Sequence, residues 1–326
     1  MDIKKIIEEI NHLDSDSIAK IIAVIAHRCL PHGDNWKDYY YKYFPLWEKQ
    51  GFHLLSNHYY SPVPEIYKLP ETFWDKVPET PGIDYSENKQ IELLETFRES
   101  FVSEYSQIPL AETADPFQYH LIGGKFEAID GYILYCMVRY LKPKRIIEIG
   151  SGDSTLLMAA AAQKNNNDAI IRSIEPFPNE KLKKGFPGLT EVIAKKVQEV
   201  FPALFSELEP NDILFIDSSH VLKIDGDVKY EYAQILPKLK SGVIIHIHDI
   251  FLPKDYPKQF IYGLLFMFNE QYLVQTMLAN NPNYEILWAG HYMLLKYPDL
   301  LKKAFAQFDK FGEVLNPSSS LWLRKK

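Results

Sequence analysis

Cysteine is nearly absent: Cys29 and Cys136 are the only two in 326 residues. Two thiols cannot build a disulfide framework, and no Cys-x-x-Cys pair points to structural zinc. Long apolar runs are missing as well. Residues 18–30 are too few to span a bilayer and include Lys20, His27 and Arg28, while residues 260–268 form a shorter run that fits a buried helix. The opening Met1-Asp2-Ile3-Lys4-Lys5, followed by Glu8-Glu9, lacks the apolar centre of a signal peptide. A cytoplasmic protein without a membrane span is expected. A strongly basic region is also lacking. Residues 1–120 hold 11 Lys/Arg against 20 Asp/Glu, and the remainder 25 against 23. Neither part can neutralise a phosphate backbone, so nucleic acid is not the expected partner.

The 46% apolar and 24% charged composition is that of an ordinary globular chain with enough residues for a full core. Two short helices are predicted over 3–10 and 15–28, the second capped at Asp14/Ser15. Between Pro31 and Pro81 aromatics such as Tyr39, Phe44, Trp47, Tyr59 and Tyr60 crowd among prolines, which forbid long regular elements. Helical spacing returns over 86–105, with Ile91, Leu94, Phe97 and Phe101 on one face. From about residue 125 helices alternate with short apolar runs: strands over 145–150, 169–174, 191–197, 212–217 and 242–247, and helices over 126–141, 154–163 and 227–239. Strands apolar on both faces imply a parallel sheet covered on each side. A long helix over 258–279 and strands over 284–289 and 319–323 complete the pattern. The expected fold is α/β, a Rossmann-like doubly wound, mostly parallel seven-stranded sheet. Its domain occupies 117–326, behind a helical, aromatic- and proline-rich extension over 1–116 that forms a lid or substrate wall, with His53, His58, Tyr59 and Tyr60 as candidate substrate contacts. Packing as core or at a dimer interface is the plainer role for most of these aromatics. A homo-oligomer is left open.

The strongest chemical signal is Glu148-Ile149-Gly150-Ser151-Gly152-Asp153-Ser154-Thr155, which leaves a strand and opens a helix. Glycines there allow a tight turn and close approach of a ligand, and the helix N-terminus offers free N–H groups. A dinucleotide fingerprint would need glycine at the position of Thr155. Glu175 ends the second strand, where a carboxylate can accept both hydroxyls of a ribose, and Gln198 lies just past the third strand, where an adenine would be expected. After the fourth strand comes Asp217-Ser218-Ser219-His220, and in and after the fifth His246-Ile247-His248-Asp249. Alternation puts His246 and His248 on one side. Asp217, His248 and Asp249 form a candidate set for a divalent cation such as magnesium, since carboxylate and imidazole suit it. A hydrogen-bonded polar rim without metal is the alternative.

These residues resemble the class I S-adenosylmethionine-dependent methyltransferases, in the branch of the macrocin O-methyltransferase-like enzymes. The likeness runs over about 117–326 and is carried by 148–155, Asp217–His220 and 246–253. It implies S-adenosyl-L-methionine as cofactor, with Glu148, Gly150, Ser151, Gly152, Ser154 and Thr155 around its methionine end, Glu175 on the ribose and Gln198 at the adenine. Asp217 borders the cofactor as well. In the macrolide-sugar members the Asp-x-x-His element supplies a metal ligand and a histidine base, here Asp217 and His220. Those members carry an acidic pair after the next strand, which reads His248-Asp249 in this chain.

A sulfonium methyl is already activated, so the protein has to place a nucleophile in line and remove its proton. His220 is the expected base, with Asp217 and Asp249 orienting a cation or the acceptor, and His246 counted among the candidate catalytic groups at the same rim. The acceptor is expected to be a small-molecule or sugar hydroxyl. Two rival readings are a nicotinamide-dependent oxidoreductase, which the missing third glycine disfavours, and a non-catalytic cofactor-binding module.

Overall fold

Apolar side chains fill both faces of the central strands, which forces the strands into the middle of a sandwich. The computed structural model describes residues 2–31, 36–165, 169–314 and 318–326, and divides into two compact units, Met1–Pro70 and Glu71–Lys326. The division falls after Pro70, whereas the family resemblance begins at about residue 117. The helix Glu87–Tyr105 belongs with the larger unit because Leu94 and Phe97 are buried in its core.

The smaller unit begins with the helices Ile3–Asn11 and Ser15–Cys29. Asp2 and Asp14 cap them by accepting from the backbone N–H groups of Lys4 (3.0 Å) and Ser17 (2.8 Å). A π-helical turn, Tyr39–Tyr43, runs into the helix Phe44–Lys49. Tyr39 is buried against Phe44 and Trp47, and its hydroxyl donates to the Leu54 carbonyl. His53 stacks on Phe44, whereas Tyr59 and Tyr60 are almost fully exposed.

In the larger unit seven strands form one sheet in the order β3-β2-β1-β4-β5-β7-β6. They are β1 (Arg145–Ile149), β2 (Ile170–Ile174), β3 (Glu191–Ile193), β4 (Ile213–Ile216), β5 (Ile244–Ile247), β6 (Tyr284–Ala289) and β7 (Leu321–Lys325). The first five are parallel, and β7 runs antiparallel between β5 and β6. The order reverses beside β1, so the carboxyl ends of β1 and β4 diverge around a crevice, the position where open α/β sheets take ligands. One face is covered by the helices Glu87–Tyr105, Ala128–Leu141 and Asp153–Gln163, around Phe97, Ile133, Leu157, Phe215 and Trp322. The other face packs Ile147, Leu214, Ile245 and Val274. This is the expected Rossmann-like α/β architecture.

Two helices differ from expectation. The helix predicted over 258–279 is two, Lys258–Tyr262 and Glu270–Leu278. Between them Leu265 adopts a left-handed φ of 55°, and the chain turns back so that the Phe266 N–H donates to the Phe260 carbonyl at 2.8 Å. The apolar run at 260–268 is therefore not a buried helix: Leu264, Leu265 and Phe266 are exposed. The helix predicted over 227–239 is α-helical only over Asp227–Tyr230, then widens into a π-helical turn, Glu231–Ile235. Among the described residues no helix is long and apolar enough to cross a membrane.

Candidate functional site

The turn leaving β1 is built around a buried acid. Glu148 accepts hydrogen bonds from the hydroxyls of Ser154 (2.6 Å), Thr155 (2.6 Å) and Ser173 (3.1 Å). Complete burial outweighs these three donors and raises its carboxyl to about 7. The Gly152 N–H donates to Thr155 Oγ1 at 3.1 Å. Thr155 thus ties the turn to the helix start, a use for the side chain that stands where a dinucleotide site would want glycine. Gly150 has a φ of 78°, and a Cβ there would lie 1.8 Å from the Asp217 carbonyl oxygen. Only glycine lets the β1 and β4 turns approach this closely.

Beside that contact lies a cavity of about 370 Å³, within the range of small-molecule sites. Gly150, Glu175, Gln198 and Asp217 line it, together with Phe177 and Ser218. Glu175 is held at its rim by the N–H groups of Ser151 (3.2 Å) and Phe177 (2.8 Å). Gln198 donates to the Asp225 carbonyl at 2.9 Å, leaving its Oε1 shielded from solvent and without a hydrogen-bond partner. Four predicted cofactor residues therefore meet at one cavity. Glu148, Ser151, Gly152, Ser154 and Thr155 do not line it; they hold the turn.

The second constellation is an ion-pair cluster. His220 is buried at a left-handed φ of 57°, with Nε2 3.2 Å from Asp217 Oδ1 and 3.8 Å from Asp249 Oδ2. Its Nδ1 lies 2.9 Å from Glu270 Oε2. Burial alone would lower the imidazole, but the hydrogen bonds to Asp217 and Glu270 prevail and hold it well above its ordinary value. Both ring nitrogens of His220 face carboxylates, which favours the charged imidazole over the free base expected. Burial pushes the Asp217 carboxyl up, and the charge of His248 with the bond from His220 brings it below the usual range. Glu270 also accepts from the Tyr232 hydroxyl at 2.8 Å, and the fully buried Glu231 accepts from Ser218 Oγ at 3.1 Å. Burial and the nearby Glu270 push the Glu231 carboxyl well above its ordinary range.

His248 lies between Asp249 (3.8 Å) and the buried Asp130 (3.9 Å). Asp130 itself accepts from the Ser319 N–H at 2.7 Å and from the Ser320 N–H, and Ser319 Oγ donates to Asp249 Oδ1 at 3.1 Å. The proposed cation set, Asp217, His248 and Asp249, is thus gathered, but its carboxylates face imidazoles rather than a common point. Among the described residues no group of three or more His, Cys, Asp or Glu side chains is disposed to hold a metal ion. The donor set does not fit a magnesium site.

His246 is a correction as well. It shares a side of β5 with His248, as alternation required, but it is fully buried. Its ring stacks on Phe215 with centroids 3.8 Å apart, meets Trp322 edge-on and pairs through Nε2 with Ser320 Oγ. Burial and the neighbouring His248 keep it neutral, far below the ordinary imidazole value. It is a core residue.

Comparison with known proteins gives three kinds of match. Residues 147–250 match the family described as a methyltransferase domain. A protein of Archaeoglobus fulgidus described as uncharacterised is 33% identical over 164 residues, which cover 48% of this chain and 74% of that one. Among solved structures, the SAH-bound methyltransferase PaMTH1 of Podospora anserina aligns at 17% identity with a TM-score of 0.39, covering 73% of this chain and 88% of its own. The O-methyltransferase TomG of Streptomyces achromogenes, involved in tomaymycin synthesis and solved with SAM, aligns at 16% identity and a TM-score of 0.37, covering 72% and 89%.

Proposed function

We propose that this chain is a class I S-adenosylmethionine-dependent methyltransferase and methylates a hydroxyl of a small-molecule acceptor at the junction of the β1 and β4 turns. The observation carrying this reading is that Asp217 belongs to two places at once: it lines the cavity and it anchors the charged cluster on His220. The cavity suits an adenosyl group. Glu175 presents a fixed carboxylate for ribose hydroxyls, and the unpartnered Gln198 Oε1 can accept from an exocyclic amine. When bound, S-adenosylmethionine supplies an electrophilic methyl on a positively charged sulfur.

The chain has to orient the acceptor oxygen and take its proton. Asp217 is the group for both, because its second carboxylate oxygen is not occupied by His220. An alcohol need not ionise first. An acceptor oxygen that gains a methyl group would become strongly acidic at its hydroxyl. The proton can then pass to a carboxylate of low proton affinity. His220 positions Asp217 and keeps it ionised until then. Replacing Asp217 by Asn is expected to lower turnover about 10²- to 10⁴-fold, the range for a positioned proton-transfer group, and replacing His220 by Ala to lower it less, with S-adenosylhomocysteine affinity nearly unchanged in the His220 variant. Calorimetric titration with S-adenosylhomocysteine and NAD tests the premise: tighter binding of NAD, or no binding of the former, would refute it.

A further inference from the structure

The floor of the cluster is charged, but its outer wall is not. From Gln259 to Asn269 the chain reads Gln-Phe-Ile-Tyr-Gly-Leu-Leu-Phe-Met-Phe-Asn, with no charged side chain. This segment is bound to the Asp217–His220 turn. The N–H groups of Asn269 and Glu270 donate to the His220 carbonyl at 3.0 and 3.2 Å, and Asn269 Oδ1 accepts from the Leu222 N–H. The Phe268 ring lies 4.7 Å from the His220 ring, and Phe266 stacks on Phe268 with centroids 4.9 Å apart. Phe260 and Tyr256 stand edge-on behind them.

The wall ends in water rather than in core. Leu264, Leu265 and Phe266 are 47, 66 and 40% exposed, and on the same turn as His220, Leu222 and Ile224 are exposed too. Exposed apolar residues taken singly need no explanation, but a contiguous group beside a reactive centre marks a surface that is covered in use. Leu265 adds a second sign. It holds a left-handed backbone that bulky side chains avoid, and it does so with the side chain turned outward, so no core packing explains the strain.

We propose that Leu264, Leu265 and Phe266 seat the apolar body of the acceptor, an aromatic ring or an alkyl chain carrying the hydroxyl that reaches Asp217. This rests on the methyl-transfer reading and narrows it, against a bare sugar, to a lipophilic hydroxyl compound. A sugar would leave its ring hydroxyls facing three side chains that neither donate nor accept.

The test uses the full chain saturated with S-adenosylhomocysteine, and 1-naphthol and methyl glucoside as matched probes, titrated by calorimetry. Naphthol is expected to bind at least tenfold more tightly than the glucoside. Leu265→Ser with Phe266→Ser, both on the surface, should remove at least tenfold of that affinity. Binding of S-adenosylhomocysteine to the same variant should stay within twofold, which shows that the variant is folded. Equal affinity for the two probes, or naphthol binding untouched by the substitutions, overturns the proposal. So does a dimer in light scattering, or binding to phosphatidylcholine vesicles, that the double variant abolishes; either would assign the surface to another occupant. A chain that binds naphthol through these residues but never S-adenosylhomocysteine would refute the methyltransferase reading while leaving the apolar seat standing.

Discussion

Single residues decide how the site is wired. Gly150 is the tightest constraint, since any Cβ would meet the Asp217 carbonyl at 1.8 Å and φ is already 78°. Gly150→Ala should destabilise the fold by roughly 3 kcal/mol, from overpacking and left-handed strain together, and weaken S-adenosylhomocysteine binding; thermal unfolding and titration measure both. Glu148 carries a pH signature. Its carboxyl is raised to about 7 in the folded chain from an ordinary 4.5. Between those values the native state binds a proton that the unfolded state has lost. The contribution is therefore complete below pH 4.5 and disappears as pH rises through 7, a fall of about 3 kcal/mol at 1.36 kcal/mol per unit. Glu148→Gln should flatten this part of the ligand-free stability curve measured by urea unfolding. An unchanged slope would mean that Glu148 ionises in the fold as freely as in water.

Elements explain what could be read in advance and what could not. The strands were legible because runs such as Arg145–Ile149 and Ile213–Ile216 are apolar on both faces, a pattern that only a covered parallel strand needs. Gly150, Glu175, Gln198 and Asp217 were legible because strand ends face one crevice. His246 misled because its spacing from His248 gives the side of β5 but not the depth; the ring of Trp322, contributed by the antiparallel β7, closes over it. Glu270 was invisible inside an apparently continuous helix. It starts the helix Glu270–Leu278 only because the chain breaks at Gly263–Asn269. Glu231 and Tyr232 were hidden in the same way, by a π-helical turn that no side-chain periodicity announces. Glu270→Gln should leave His220 with carboxylates only on its Nε2 side, those of Asp217 and Asp249. Its imidazole should then titrate at lower pH by NMR, and turnover should fall about tenfold with the acceptor KM little changed. A variant that loses KM and kcat alike, or whose His220 titration does not move, would reduce Glu270 to a packing residue.

At the scale of the whole molecule, every hydrogen bond and ion pair named for the cavity and the cluster joins residues between 120 and 326, inside the unit Glu71–Lys326. That unit has its own two-sided core. Residues 71–326 alone are expected to fold and to bind S-adenosylhomocysteine within about threefold of the full chain, checked by calorimetry and by a single cooperative melt. Loss of that binding would show that Met1–Pro70 is required for the donor site and not only for whatever else the smaller unit does.

The bond from the Asp217 N–H to the Ile149 carbonyl, at 2.8 Å, together with the Asp217 carbonyl lying over Gly150, welds the turn after β1 to the turn after β4. Neither can shift without dragging the other. Residues 264–266 carry no such tether to β1. If residues 264–266 seat the acceptor as proposed, new acceptors would be accommodated by rewriting that lip, while the joined β1 and β4 turns stay as they are.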